Sequence, residues 1–173
     1  MRGEFTIRLY VETDEKPVKD GKVSEDCIAT MGKLQITLEE GDVIPEFLDP
    51  KKTKFLVNEV YDRLPSNVDG TDGRVLRDMI IEIGGRLSLS LFEGDKLMLL
   101  PVEGFAKTLI AGVGNLVRKG DPFAAVTTRK GEVHYLKPPE DSIVVFIDEI
   151  TRAPNYVYYM LPLSTLNASN AKA

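Results

Sequence analysis

The fold is decided around the segment Gly112-Val113-Gly114-Asn115-Leu116-Val117-Arg118-Lys119-Gly120-Asp121-Pro122-Phe123, at the centre of residues 85–150. Two Gly-Asp corners, Gly94-Asp95 and Gly120-Asp121, each open an apolar run that ends near a second glycine, Gly104 or Gly131. Each turn needs a residue that can adopt positive φ, and each run is long enough to cross a small barrel. The near-equal spacing predicts two copies of one strand-turn-strand unit, and hence a small, internally two-fold β-barrel.

Composition limits the classes of function. A chain of 173 residues can bury a core as one large domain or two small ones. The net charge of −5 argues against a nucleic-acid partner, because phosphate binding needs clustered Lys and Arg. The one cysteine, Cys27, excludes an intramolecular disulfide and is interpreted as a buried thiol. No targeting segment and no run of ~20 apolar residues is visible, so the sequence predicts a cytoplasmic protein without a membrane partner.

Residues 1–73 are predicted to form a small α+β region. Apolar residues from Phe5 to Val11 alternate with polar ones, which indicates a strand with one buried face. Two more strands are predicted at 27–29 and 34–38. Helical spacing of apolar residues predicts one helix over 56–64 and a second over 75–83, where a buried strand at 79–83 is the alternative. The Asn-, Asp- and Gly-rich stretch 66–73 is the predicted domain linker.

In the second half of the chain, runs of strand length are each bounded by Gly, Pro or Asp. Short strands at such regular intervals are typical of a barrel or sandwich. The predicted strands are 87–91, 97–102, 106–111, 123–127, 132–136, 143–147 and 155–161. We therefore predict a second domain over 74–163, after which the small, polar tail 164–173 is expected to be disordered. The fold class is mainly β, α+β overall, with one or two short helices.

Three segments carry a resemblance to a known superfamily. They are 113–122, with its Gly-x-x-Val-x-x-Gly-Asp corner, 125–133, which holds a hairpin turn, and 138–145, a proline corner before the last strand. Together they resemble a biotinyl/lipoyl-type barrel-sandwich hybrid domain, over roughly the second half of the chain. The whole chain also resembles an uncharacterised archaeal family, domain of unknown function 2118. The corner motif says more about fold than about activity, since one fold hosts many functions.

One lysine matters for the barrel resemblance. Biotinyl and lipoyl carriers are modified on a lysine at the hairpin tip after the Gly-Asp corner, and the matching position here is Lys130. Its flanks are Arg129 and Gly131, where biotin carriers have Met on both sides and lipoyl carriers have Asp before and Ala after. The sequence favours a solvated turn lysine and no cofactor. The resemblance implies biotin or lipoate on Lys130 as the alternative.

Other candidates for chemistry are few. His134 is the only histidine, which excludes a multi-histidine metal site within one chain, and a structural imidazole is favoured over a catalytic one. The acidic pairs Glu39-Glu40, Glu140-Asp141 and Asp148-Glu149 are interpreted as a solvated rim, because neighbouring strand residues point to opposite faces. Tyr156, Tyr158 and Tyr159 suit a binding platform, a subunit interface or a half-buried terminal strand. No catalytic residue and no metal ligand is predicted.

The sequence therefore predicts a non-enzymatic binding or scaffold protein, with itself or another protein as the partner. Its hydrophobic strands have edges that need cover, which favours a homo-oligomer. The first alternative is a carrier modified on Lys130. The second alternative is a metal-dependent enzyme whose site lies between the two parts of the chain.

Overall fold

The computed structural model describes residues 6–150 and 155–166, and these form a mainly β protein of two compact units. The first unit comprises the chain up to Asn67 together with Leu76–Gly94, and the second comprises Val68–Val75 together with the chain from Asp95 onward. The strands of the first unit are β1 Ile7–Glu12, β2 Val18–Lys19, β3 Lys22–Val23, β4 Cys27–Met31, β5 Leu34–Leu38, β6 Lys54–Glu59, β7 Met79–Ile83 and β8 Leu87–Leu91. Those of the second are β9 Met98–Val102, β10 Ala106–Leu109, β11 Leu116–Val117, β12 Ala124–Thr127, β13 Val133–Leu136, β14 Ser142–Ile150 and β15 Asn155–Pro162.

The first unit is built on one antiparallel six-stranded sheet in the order β5-β4-β6-β1-β7-β8. The sheet is strongly curled, because the side chains of its two edge strands meet. Gln35 Nε2 on β5 donates a hydrogen bond of 3.2 Å to Ser90 Oγ on β8. Such curling brings an open sheet close to a barrel and leaves less of each edge exposed.

Both faces of the central strands in this sheet are covered. One face carries a small cluster of side chains, Tyr10, Ile28, Leu56 and Ile80, none more than 5% exposed. On the other face, Cys27, Ala29, Leu38 and Phe55 pack with Val23 and Leu48 from the connecting segments. The predicted strand at the N-terminus is present as β1, but Leu9, Tyr10 and Val11 are all buried, so its burial does not follow the predicted one-sided pattern.

Neither segment predicted as a helix forms an α-helix, and the alternative at 79–83, a buried strand, is confirmed. The segment expected as a helix over 56–64 is strand β6 followed by the 3₁₀ segment Tyr61–Asn67, and the segment expected over 75–83 contains strand β7. The reason is the same in each case. Adjacent residues of a strand point to opposite faces of the sheet, and Phe55 and Leu56 on β6, like Met79, Ile80 and Ile81 on β7, are all buried, so apolar and polar residues do not alternate there. A continuous apolar run then imitates helical spacing.

The second unit contains a four-stranded sheet, β11-β14-β15-β9, and a three-stranded sheet, β10-β12-β13, that share one core. The buried members of this core are Val102, Val117, Phe123, Ala124, Val144, Tyr158 and Met160. The Tyr158 ring lies 4.8 Å from the Phe123 ring, and the Tyr158 hydroxyl donates a hydrogen bond of 2.6 Å to the carbonyl oxygen of Ala111. This bond satisfies the polar end of the largest buried side chain in the unit.

The short segment Val68–Val75 is held to the second unit by backbone hydrogen bonds. The Val75 amide donates to Asp95 O at 2.7 Å, and the Leu97 amide donates to Gly73 O at 2.8 Å. Gly73 has φ of +80°, and a Cβ added to it would lie 2.1 Å from Leu97 O. Only glycine fits this position without moving the backbone.

The predicted pair of identical strand-turn-strand units is not found. Strands β12 and β13 form a hairpin in one sheet, whereas β9 and β10, on either side of Gly104, belong to different sheets. Near the C-terminus, residues 163–166 form one helical turn, and Ser164 Oγ donates to Glu140 Oε1 at 2.7 Å. The rest of the tail that was expected to be disordered, 167–173, lies outside the described residues.

Candidate functional site

The hairpin between β12 and β13 places Lys130 at an exposed tip. The Thr128 amide donates to Glu132 O at 2.8 Å, and the Gly131 amide donates to Thr128 O at 2.9 Å. Gly131 has φ of +89°, so the loop Arg129-Lys130-Gly131 is a type I turn closed by a glycine in the left-handed region. The turn directs the Lys130 side chain into solvent.

The other predicted turn residues lie at corners of the chain. Gly94 and Gly120 have φ of +95° and +98°. At the first corner the Asp95 carbonyl oxygen accepts a hydrogen bond from the Val75 amide, and at the second the Asp121 amide donates to Arg118 O. Gly104 does not have positive φ; its Cβ position would be 3.1 Å from Val126 Cβ, so a close approach explains the glycine there.

An exposed aromatic residue that the sequence reasoning missed lies beside the hairpin tip. Phe105, in the connection between β9 and β10, is 65% exposed. The guanidinium carbon of Arg129 lies 5.2 Å from the centre of its ring, within the range of a cation–π contact. Lys107 Nζ donates a hydrogen bond of 2.8 Å to Gly104 O. The tip is therefore an exposed aromatic and cationic projection of the second unit.

The three-stranded sheet has one face without charge, which we call the outer face. Ala124 and Val126 point into the core, so the alternate residues of β12 and their cross-strand partners point away from it. The outer face consists of Ala106 and Thr108 on β10, Ala125 and Thr127 on β12, and Val133 and Tyr135 on β13. Val133 is 50% exposed and Tyr135 is 61% exposed. An uncharged strip with exposed apolar side chains is typical of a protein contact surface.

His134 lies on β13 opposite Val126, on the side of the sheet that faces the core, yet it is exposed near the open hairpin end. Across the described part of the chain, no three His, Cys, Asp or Glu side chains come close enough together to hold a metal ion. Of the acidic pairs, Glu140-Asp141 makes side-chain contacts with its surroundings, whereas the contact at Glu39 is made by its backbone amide. Asp141 accepts a hydrogen bond from the Lys119 amide and lies 3.6 Å from Arg118, and the Glu39 amide donates to Asp42.

The remaining candidates are buried. Tyr158 and Tyr159 are 0% and 6% exposed, which rules out a platform made of all three tyrosines. Burial raises the pKa of Tyr158 to about 12, and burial together with Asp148 raises the pKa of Tyr159. Burial, then Glu25, Asp26 and Asp42, raise the pKa of Cys27 to about 11, so this thiol is unreactive at neutral pH.

Comparison with known proteins identifies relatives but no activity. The family described as "Uncharacterized protein conserved in archaea (DUF2118)" matches residues 6–163. An uncharacterised protein of Methanocaldococcus jannaschii is 32% identical over 164 residues, which is 90% of each chain. Within residues 6–150 and 155–166, no helix has the length and apolar character needed to cross a membrane.

Proposed function

Because the chain belongs to DUF2118, a family of uncharacterised archaeal proteins, we infer its function from its own surface and propose a non-enzymatic binding or scaffold protein that associates with itself. The observation that carries this proposal is the outer face of the three-stranded sheet. Two of its residues, Val133 and Tyr135, are at least half exposed, and none of its residues is charged. Interface cores are depleted in charged residues and enriched in aromatic ones.

Electrostatics favour this face for contact between copies. The chain carries a net charge of −5, so two copies repel each other weakly over most of their surfaces. A surface without charge is the place where two copies can meet with the least cost in desolvation and repulsion. The exposed ring of Tyr135 on this face is an anchor of the kind that dominates contact energies.

Sedimentation over a series of protein concentrations tests the proposal. We expect a concentration-dependent rise in mass for the parent protein, and its loss in Tyr135→Glu, which adds a charge to the outer face. Leu116→Glu is the matched control, since Leu116 is a half-exposed residue of the other sheet in the same unit. A parent that stays monomeric at every concentration, or equal effects of the two variants, would overturn the proposal.

We also propose that the second unit is a barrel-sandwich hybrid of the biotinyl/lipoyl type. Two sheets that share one core support this assignment, as does the hairpin after the Gly120-Asp121 corner. The same hairpin favours a second candidate function, a carrier modified on Lys130. A tight three-residue loop presents the Lys130 amino group to solvent, where a ligase could transfer the acyl group of biotin or lipoate from an acyl adenylate to the neutral Nζ, forming an amide and releasing AMP and a proton.

Intact-mass measurement of the protein from its native host, followed by peptide mapping of residues 129–137, tests the carrier candidate. A biotinyl or lipoyl adduct on Lys130, absent from Lys130→Arg, is the expected result for a carrier. Lys137 lies in the same peptide and is exposed, so its modification state controls for non-specific acylation. An unmodified mass in cells whose other carriers are modified would exclude this function.

A further inference from the structure

Strand β13 is an unprotected sheet edge. Natural sheets shield their edges with Pro, Lys, bulges or very short strands. In the second unit, the edge strand β9 contains Pro101, the edge strand β10 contains Lys107, and the edge strand β11 is only two residues long. The fourth edge, β13, is Val-His-Tyr-Leu and has none of these devices. In the first unit, the edges β5 and β8 are linked by the Gln35–Ser90 hydrogen bond.

The free backbone groups of β13 can be assigned from its pairing with β12. The Thr128 amide donates to Glu132 O, and the Phe123 amide donates to Leu136 O. Because hydrogen-bonded and non-hydrogen-bonded positions alternate along an antiparallel pair, Glu132, His134 and Leu136 turn their backbone groups towards β12. Val133 and Tyr135 therefore turn their N–H and C=O groups outward.

We propose that two copies of this chain pair through β13, antiparallel, about a two-fold axis at His134. This rests on the proposed self-association and names its surface and register. Antiparallel pairing of a strand with itself is two-fold symmetric, so each contact is made twice. We therefore expect a second copy of the chain to pair with this edge. The β13 strand of that copy presents the same free backbone N–H and C=O groups and has no charged side chain on the outer face.

Side-chain complementarity selects the register. A two-fold axis perpendicular to the sheet keeps each side chain on its own face, so residues of equal parity must lie opposite each other. With the axis at His134, Val133 lies opposite the partner's Tyr135, and Tyr135 opposite the partner's Val133, as two hydrogen-bonded pairs with four backbone hydrogen bonds. Aromatic and β-branched residues are favourable cross-strand neighbours. Each half-exposed apolar side chain of the edge then gains an apolar cross-strand neighbour, while the outer face itself stays open.

Other registers satisfy the edge less well. Moving the axis to Tyr135 places Val133 opposite the partner's Lys137, and moving it to Val133 places Tyr135 opposite the partner's Gly131. Either shift leaves an apolar side chain without an apolar partner on the outer face. A four-residue pairing covers less area than the roughly 800 Å² per partner of stable interfaces, so we expect a weak, concentration-dependent dimer.

Single-cysteine cross-linking tests the register. In the proposed pairing, two copies of His134→Cys have Cα atoms about 4.5 Å apart, which a disulfide can bridge. Val133→Cys and Tyr135→Cys are matched controls, because the two copies of each lie roughly 8–9 Å apart, beyond disulfide range. The native Cys27 is 0% exposed and does not compete. Val60→Cys, at a residue 63% exposed in the first unit, reports disulfides formed by random collision.

We expect an oxidised dimer from His134→Cys at a yield at least several-fold above that of the other three variants. Cross-linking of Tyr135→Cys or Val133→Cys in place of His134→Cys would overturn the register. Sedimentation of the parent protein distinguishes a wrong pairing surface from an absence of self-association. A dimer in sedimentation with no cross-link at any β13 position would refute the β13 edge while leaving self-association intact, whereas a monomer would remove both.

Discussion

Replacing Gly73 by alanine should destabilise the second unit, and the geometry gives the size of the effect. Gly73 has φ of +80°, its amide donates to Asp69 O at 2.8 Å, and its carbonyl accepts from the Leu97 amide at 2.8 Å. An alanine Cβ would lie 2.1 Å from Leu97 O, so the backbone must move apart. The displaced atom is a backbone oxygen, which cannot rotate away as a side chain could.

Two costs add in Gly73→Ala. The left-handed conformation costs about 1–2 kcal/mol for a residue with a Cβ. Separation of the backbone around Leu97 weakens one or two hydrogen bonds, each worth about 1 kcal/mol. The free energy of unfolding should therefore fall by about 3 kcal/mol, which lowers the melting temperature of a protein of this size by about 6–12 °C.

Differential scanning calorimetry of Gly73→Ala and Gly70→Ala checks this estimate. Gly70 lies in the same loop, does not have positive φ, and has no atom within 4 Å of an added Cβ. Its variant should melt within about 1–2 °C of the parent, or slightly higher because the unfolded chain loses entropy. If Gly73→Ala melts as high as Gly70→Ala, the close approach to Leu97 is not what requires the glycine.

Three further outcomes follow from side chains with named partners. Tyr158→Phe should lose about 1–2 kcal/mol in urea denaturation because Ala111 O is left without its donor, while Tyr156→Phe, for which no hydroxyl bond is seen among the described residues, should change little. Burial raises the pKa of Tyr158 to about 12 from about 10 when unfolded, so the folded state holds this proton more tightly. The contribution of the Tyr158 hydroxyl to the free energy of unfolding should be complete below about pH 10 and should be lost as the pH rises towards about 12. Across that range, the free energy of unfolding should therefore fall less steeply with pH in Tyr158→Phe than in the parent protein. Asp78→Ala should lower the free energy of unfolding by about 2 kcal/mol, because the Asp78 side chain is 14% exposed and accepts hydrogen bonds from Lys54 at 3.0 Å and from the Glu93 amide at 2.8 Å. Asp14→Ala should lower it by less than about 0.5 kcal/mol, because Asp14, the ion-pair partner of Arg77, is 92% exposed. Equal losses in the two variants would contradict this ranking.

The sequence predicted the mainly β class because most strands lie between residues that end strands, as at Gly94-Asp95 and Gly120-Asp121. Its preferred assignment failed where a strand is covered on both sides, although a buried strand at 79–83 was the stated alternative. Ile80 and Ile81 point to opposite faces of β7 and are both buried, so no alternation marks the strand. The β-branched side chains of Ile80 and Ile81 favour a strand, but the apparent helical spacing was given more weight in the prediction.

The outer face and the β13 edge could not be predicted from the sequence, because they depend on which strands pair with each other. Val133 and Tyr135 alternate with His134, which indicates a strand, but only the sheet order shows that β13 is an edge. Phe105 stands beside Arg129 because β10 pairs with β12, a relation between segments 24 residues apart in the sequence, from 105 to 129. Lys130 was found from the sequence because its turn is local, with the glycine next to it.

The interleaving of the two units sets the order in which the chain can fold during synthesis. Strand β1 is synthesised before its partners β6 and β7, which occupy residues 54–59 and 79–83. Because chain synthesis proceeds at about 5–20 residues per second, β1 has no partner strand for several seconds. Residues 68–75 are made before β7 and β8 but pair with the chain from Asp95 onward. All strands of the first unit are therefore made before residues 68–75 meet the partners that they bind from Asp95 onward. A fragment ending at residue 94 would hold every strand of that unit and keep this loop permanently without its partner.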